Sequence, residues 1–170
     1  MKRFLLMSIV AMLALAAQAK VRLPHLIGDN MVLQQQTEAR LWGWAKPHAT
    51  VRVTTSWGSE AVSAKADGNG HWIAKVKTPE ASMAPQTVTF DDGEGTVTLK
   101  EVLIGEVWVC AGQSNMEMPV KGFGQCPVEG YNRVVLDAVQ SKGVRSVKVP
   151  SVMSSRPLDD AQCEWRQCRP

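Results

Sequence analysis

The hydrophobic pattern predicts two unlike parts: a β-sandwich domain over residues 20–104, then the start of an α/β domain with a parallel sheet over residues 105–170. Three observations carry this. Short β-type segments separated by turn signals fill the first part, where no helical period appears. A continuous apolar run, Val107 to Ala111, ends abruptly at Gly112. A helical stripe of Val134, Val135, Ala138 and Val139 precedes a second β-type run, Val144 to Val149.

Met31 to Gln35 and Ala39 to Ala45 open the β part. Thr50 to Trp57 alternates, with Val51, Val53 and Thr55 on one face. Glu60 to Ala66 and His71 to Thr78 flank Asp67-Gly68-Asn69-Gly70, a hairpin signal. Gln86 to Asp92 and Thr96 to Leu103 flank Gly93-Glu94-Gly95, a second one. Strands at this spacing suit an antiparallel sandwich. Trp42, Trp44, Trp57 and Trp72 fall here and are expected in the core, because aromatics dominate small cores by buried area. A row of exposed rings that stacks on sugars is the competing reading. His25, His48 and His71 also fall here, none with a carboxylate at triad-like spacing, and none is assigned catalysis.

Val107 to Ala111 reads as a strand buried on both faces, as in parallel sheets, with Cys110 as a free core thiol. Gly112 permits a sharp turn, and Ser114 follows at the start of a short helix. A serine at a strand-to-helix turn lies at the carboxyl edge of the sheet, where open α/β folds bind ligands. Its N–H, at a helix start, suits an oxyanion. The plain alternative is a capping box, Ser114 with Glu117. The second glycine of the α/β-hydrolase elbow is missing, so that motif does not apply. Residues 121–127 read as a loop. Asn132 is expected to cap a helix to Lys142, with Gly143 as its C′ residue. Val144 to Val149, stopped by Pro150, then completes a right-handed βαβ unit. Residues 151–170 show no clear element.

Residues 1–19 read as a signal peptide: Lys2 and Arg3, an apolar core from Phe4 to Ala17, and Ala17-Gln18-Ala19 as cleavage site. An amino-terminal anchor is the alternative. Export to the periplasm or the medium follows, with no membrane contact after cleavage. Removing Lys2 and Arg3 lowers the formal net charge from +3 to +1, and no basic run favours nucleic acid. Export permits disulfides, and Cys110, Cys126, Cys163 and Cys168 allow three full connectivities, among which the sequence does not choose. Cys163 and Cys168 lack C-x-x-C spacing and have no nearby histidine, so a zinc site is not expected. No cofactor is expected either. No carboxylate pair supports glycosidase chemistry.

The block from Gly105 to Met118, with Gly112-Gln113-Ser114-Asn115-Met116 at its centre, resembles the nucleophile block of sialate O-acetylesterases, secreted carbohydrate esterases of the SGNH hydrolase superfamily. Leu23-Pro24-His25-Leu26-Ile27-Gly28-Asp29-Asn30-Met31-Val32-Leu33-Gln34 resembles the amino-terminal signature of that family. Leu41-Trp42-Gly43-Trp44-Ala45 and Asp67-Gly68-Asn69-Gly70-His71-Trp72 continue the likeness, which covers nearly all of the chain after residue 19.

The resemblance implies a flavodoxin-like α/β domain with Ser114 as nucleophile and its own N–H as one oxyanion donor. Gln113 and Asn115 are expected to bind substrate or fix the turn, the latter being the commoner role of amides. The implied reaction is acyl transfer: Ser114 attacks an acetyl carbonyl while a histidine takes its proton, and water hydrolyses the acetyl-enzyme. The implied partner is an O-acetylated carbohydrate, sialic acid first and acetylated xylan second. A carbohydrate-binding module without activity is the reading from another class. Such enzymes draw histidine and aspartate from an Asp-x-x-His block and further oxyanion donors from a Gly and from the Asn of a Gly-x-Asn-Asp-like block. This sequence has no histidine after His71 and neither block. Residues 105–170 are therefore expected to be the amino-terminal part of the hydrolase domain. The chain would be an amino-terminal fragment, a truncated frame or a protein that has lost activity, and inert alone.

Overall fold

The computed structural model describes residues 20–141 and 143–168, so the expected signal peptide lies outside the described residues. Seven strands build the first part: β1 Val32–Gln34, β2 Glu38–Trp44, β3 Thr50–Thr55, β4 Val62–Lys65, β5 His71–Lys77, β6 Ser82–Asp91 and β7 Thr96–Gly105. They lie close to the spans expected from the sequence. The order β1-β7-β6-β3-β4 makes one five-stranded sheet, and β2 and β5 form a separate antiparallel pair. The larger sheet is mixed, because β1 runs parallel to β7, with Gln34 beside Gly105. The architecture is thus a curled mixed sheet and a two-stranded ribbon around one core, not a purely antiparallel arrangement.

Alternation drives this core. In β5, Trp72, Ala74 and Val76 point inward while His71, Ile73, Lys75 and Lys77 face out. Val51 and Val53 of β3, Leu41 of β2, Val88 and Phe90 of β6 and Val102 of β7 are buried against them. Trp72 meets Phe90 at 5.6 Å between ring centroids. Each of the buried Val, Leu and Phe side chains contributes about 1.5–3 kcal/mol on burial.

The Gly93-Glu94-Gly95 turn joins paired strands, β6 and β7, as expected. The Asp67-Gly68-Asn69-Gly70 turn does not. Asp67 Oδ1 accepts the N–H groups of Asn69 and His71, and the Asp67 N–H donates to the His71 carbonyl. Beyond that closure β4 pairs with β3, and β5 pairs with β2. The turn therefore carries the chain from one sheet to the other. Gly70 has φ +85, and the Ala45 carbonyl oxygen occupies the place of a Cβ.

The second part departs further from expectation. Val107 to Ala111 is not a strand and is exposed, with Trp108 at 83% and Val109 at 92%. A strand needs lateral partners for its N–H and C=O groups, and none flanks this run among the described residues. Cys110 is consequently exposed rather than a core thiol. The expected helix is α2, Tyr131–Asp137, extended by a 3₁₀ turn, Ala138–Gln140; it is capped at Gly130, not Asn132, and buries no residue. The second expected strand shrinks to β10, Arg145–Val147, which pairs antiparallel with β11, Trp165–Gln167. No parallel βαβ unit forms among the described residues: the apolar stripes are present, but the strand that would receive them is not. A small hairpin of β8, Gly122–Phe123, and β9, Cys126–Pro127, fills the expected loop.

Candidate active site

Ser114 opens a four-residue helix, α1, Ser114–Glu117. The cap residue is Gln113, and no side chain caps the turn, so the Ser114–Glu117 capping box is not formed. The first turn is closed by backbone: the Met116 N–H donates to the Gln113 carbonyl at 2.9 Å, and the Met118 N–H to the Ser114 carbonyl at 3.0 Å. A Cβ at Gly112 would lie 2.7 Å from Met116 Cγ, so a side chain there would displace the exposed Met116. Gln113, Ser114 and Asn115 are all exposed. The Gln113 and Asn115 amides make no hydrogen bond among the described residues, and the hydrogen bonds that close the turn are those of the backbone.

The segment leading to Ser114 is tied to the β domain at its base. Glu106 follows β7 directly, and its Oε2 and Oε1 accept the Nε2 groups of Gln34 and Gln35 at 3.0 and 2.6 Å. Gln34 Oε1 takes the Val107 N–H at 2.9 Å, and Gln35 Oε1 takes the Ala81 N–H at 2.8 Å. The two amide donors, Gln34 first, hold the Glu106 carboxyl below its ordinary pKa. This bracket joins the two stretches that the sequence displays separately, Leu23 to Gln34 and Gly105 to Met118. One local signal for it is present in the sequence, the run Gln34-Gln35-Gln36 at and just past the end of β1.

A cleft of about 680 Å³ lies beside the segment, lined among others by Glu106, Trp108, Cys110, Arg145 and Trp165. Neither Ser114 nor a histidine lines it. No proton acceptor bonds the Ser114 hydroxyl among the described residues.

The structure does form one histidine–carboxylate pair, across 135 positions: His25 Nδ1 lies 2.8 Å from Asp160 Oδ2, and the His25 N–H donates to Asp160 Oδ1 at 2.9 Å. Local spacing hides a partner that distant. Partial burial raises the Asp160 pKa, but the His25 N–H, the His25 ring and the Ala161 N–H outweigh it and leave it lowered. Trp165 Nε1 donates to the Leu26 carbonyl at 2.8 Å and extends the same contact. Asp160 in turn raises the Cys163 pKa, after burial as the larger cause, so that thiol is no activated nucleophile. All four cysteines are free.

The tryptophans of the β part form no exposed row. Trp72 is buried, Trp42 and Trp57 pack on the core, and Trp44 lies under the Arg22 guanidinium at 3.6 Å. Among the described residues no group of three or more His, Cys, Asp and Glu is placed to hold a metal. No helix there is long and apolar enough to cross a membrane.

No family model matches the sequence. Sialate O-acetylesterase of Mus musculus is 32% identical over 164 residues, which cover 89% of this chain and 29% of that protein. The Homo sapiens sialate O-acetylesterase is 30% identical over 149 residues, covering 82% and 27%. The chain is a relative of the sialate O-acetylesterases. It spans less than a third of their length. Similarity over 89% of the chain takes in Gly105 to Met118 wherever its ends fall. A solved carbohydrate acetylesterase from Xanthomonas citri superposes with a TM-score of 0.77 at 29% identity, over 88% of this chain and 33% of that one.

Proposed function

We propose that this chain is the nucleophile-bearing part of an exported carbohydrate O-acetylesterase, acting by serine acyl transfer, with Ser114 as the attacking group. The observation that carries the reading is the Gly112–Ser114 turn, presented at the end of an apolar segment in a stretch similar to curated sialate O-acetylesterases. A serine hydroxyl needs a base near neutral pH. In this reading the base, the remaining oxyanion donors and the strands that would flank Val107 to Ala111 come from a length of the relatives that this chain does not span. Residues 20–104 are then a β-sandwich module, and residues 105–170 begin the SGNH-type domain. The 83% exposure of Trp108 fits a surface meant for such strands. The substrate is an O-acetylated sugar, sialic acid before acetylated xylan. Gln113 and Asn115, with free amides at the nucleophile, suit contacts to the sugar.

The test is acetate release by the protein expressed from its natural gene, on O-acetylated sialic acid and on acetylated xylan, with Ser114→Ala beside the parent. The expected result is release from the sialic acid and its loss in the variant. Equal release by both proteins overturns the role of Ser114, and release from xylan alone moves the substrate class.

A further inference from the structure

We propose that Gln34, Gln35 and Glu106 are positioning residues, a two-amide clamp on one carboxylate that sets how the Val107–Gly112 segment leaves β7 and thereby where Ser114 is held. The inference rests on the reading of Ser114 as nucleophile. Its geometry stands without that reading.

Each glutamine is fixed at its oxygen end by a backbone N–H: Val107 fixes Gln34, and Ala81 fixes Gln35. Neither amide can flip without setting its NH₂ against that donor. Both NH₂ groups therefore point at residue 106, which must offer two acceptors. An ionised carboxylate does so. A glutamine at 106, or a protonated glutamate, offers one acceptor and one donor and opposes donor to donor. The glutamines are themselves anchored. The Gln35 N–H donates to the Gly105 carbonyl at 2.9 Å, and the Gln34 carbonyl accepts Thr78 Oγ1 at 2.7 Å. The clamp thus joins β1, the chain entering β6 and the exit of β7. The Val107 N–H is the last backbone donor of the segment that the β domain binds, among the described residues, before the Gln113 turn. The direction of the next residues is set there. Arg145 lines the same cleft as Glu106, and the neighbouring Gln36 donates to Glu80 at 3.5 Å.

Two measurements test it. The first is hydrogen exchange by mass spectrometry on this chain, comparing Glu106→Gln, Gln34→Ala and Gln35→Ala with the parent. Overlapping peptides that isolate the Val107 amide, which donates to Gln34 Oε1, should show it exchanging about tenfold faster in Glu106→Gln, the loss expected from one charge-assisted hydrogen bond. Peptides from β3 and β5 should be unchanged, which shows that the domain remains folded. Glu106→Asp keeps both acceptors and should recover part of the protection, which a mere volume effect would not. Should Glu106→Gln unfold the domain, Gln35→Ala carries the same comparison with one donor removed. Parent-like exchange of the Val107 amide in every folded variant overturns the clamp. The second measurement separates the clamp from the nucleophile, in the protein expressed from its natural gene. Glu106→Gln should lower kcat for acetate release with KM little changed. If Ser114→Ala is inactive and Glu106→Gln keeps the parent kcat, positioning fails and the nucleophile stands. If Ser114→Ala is as active as the parent, the nucleophile fails, and the exchange result alone decides the clamp.

Discussion

Replacing Thr78 by Val should destabilise the β domain by about 1–2 kcal/mol through the loss of one oxygen. Thr78 is 7% exposed and sits just past β5. Its hydroxyl donates to the Gln34 carbonyl at 2.7 Å and accepts the Thr37 N–H at 3.1 Å. The Thr37 carbonyl also lies 3.1 Å from Oγ1, but the single hydroxyl proton serves the shorter contact. Valine keeps the branched shape, so no cavity term enters. What remains is a Gln34 carbonyl, half-buried, and a Thr37 N–H, exposed, without their partner. Water replaces the bond to Thr37 cheaply and reaches Gln34 less well, which places the cost toward the middle of the range for an unmade bond. With a urea slope of about 2 kcal/mol/M, the midpoint should fall by roughly 0.5–1 M, read from tryptophan fluorescence of the chain. Thr78→Ser keeps the hydroxyl and loses one methyl, at about 0.8 kcal/mol. A Val variant with the parent midpoint, or a higher one, would refute the claim that this hydroxyl couples β5 to β1.

Phe90→Ala should cost about 3–5 kcal/mol, because a fully buried ring packed on Trp72 leaves a cavity that its neighbours fill only partly; a urea midpoint within 0.2 M of the parent, roughly a tenth of this loss at the same slope, would contradict the core assignment. The Asp160–His25 contact should weaken in acid. With its folded pKa lowered, Asp160 contributes stability above its unfolded value, about 3.9, that is lost as pH falls through the folded pKa. Exchange protection of the His25 amide should therefore drop below about pH 4, and the same drop in Asp160→Asn would remove Asp160 as the cause.

The β part was legible because alternation at Val51 and Val53, and at Trp72, Ala74 and Val76, reports a face that this chain itself covers. Turn chemistry was legible at Asp67, whose Asx bonds form, but not its consequence. A turn motif fixes local φ/ψ and leaves open which strand each arm pairs with, so β4 and β5 part into different sheets. The parallel β1–β7 pair joins residues some 71 positions apart in sequence, as Leu33 and Ile104 do, which no local pattern encodes. The second part misled for a different reason. Val107 to Ala111 and the stripe of Val134, Val135, Ala138 and Val139 record a capacity to be buried, and burial needs partners from elsewhere. At the candidate site, Ser114 and Gly112 stood out from spacing and resemblance. The pairings in the bracket at Glu106 and between His25 and Asp160 left no local pattern, since their members lie 71, 72 and 135 positions apart.

In the proposed function, Ser114 Oγ is the atom acylated in turnover. A fluorophosphonate, which loses fluoride to an activated serine and leaves a stable phosphonyl ester, reports that directly. The protein expressed from its natural gene should be treated with the reagent, digested and mapped by mass spectrometry. One adduct on Ser114, absent from a heat-unfolded control and blocked in proportion by O-acetylated sialic acid, is the predicted result. Complete loss of acetate release with the phosphonyl group on another serine, or with Ser114 unmodified, would contradict it.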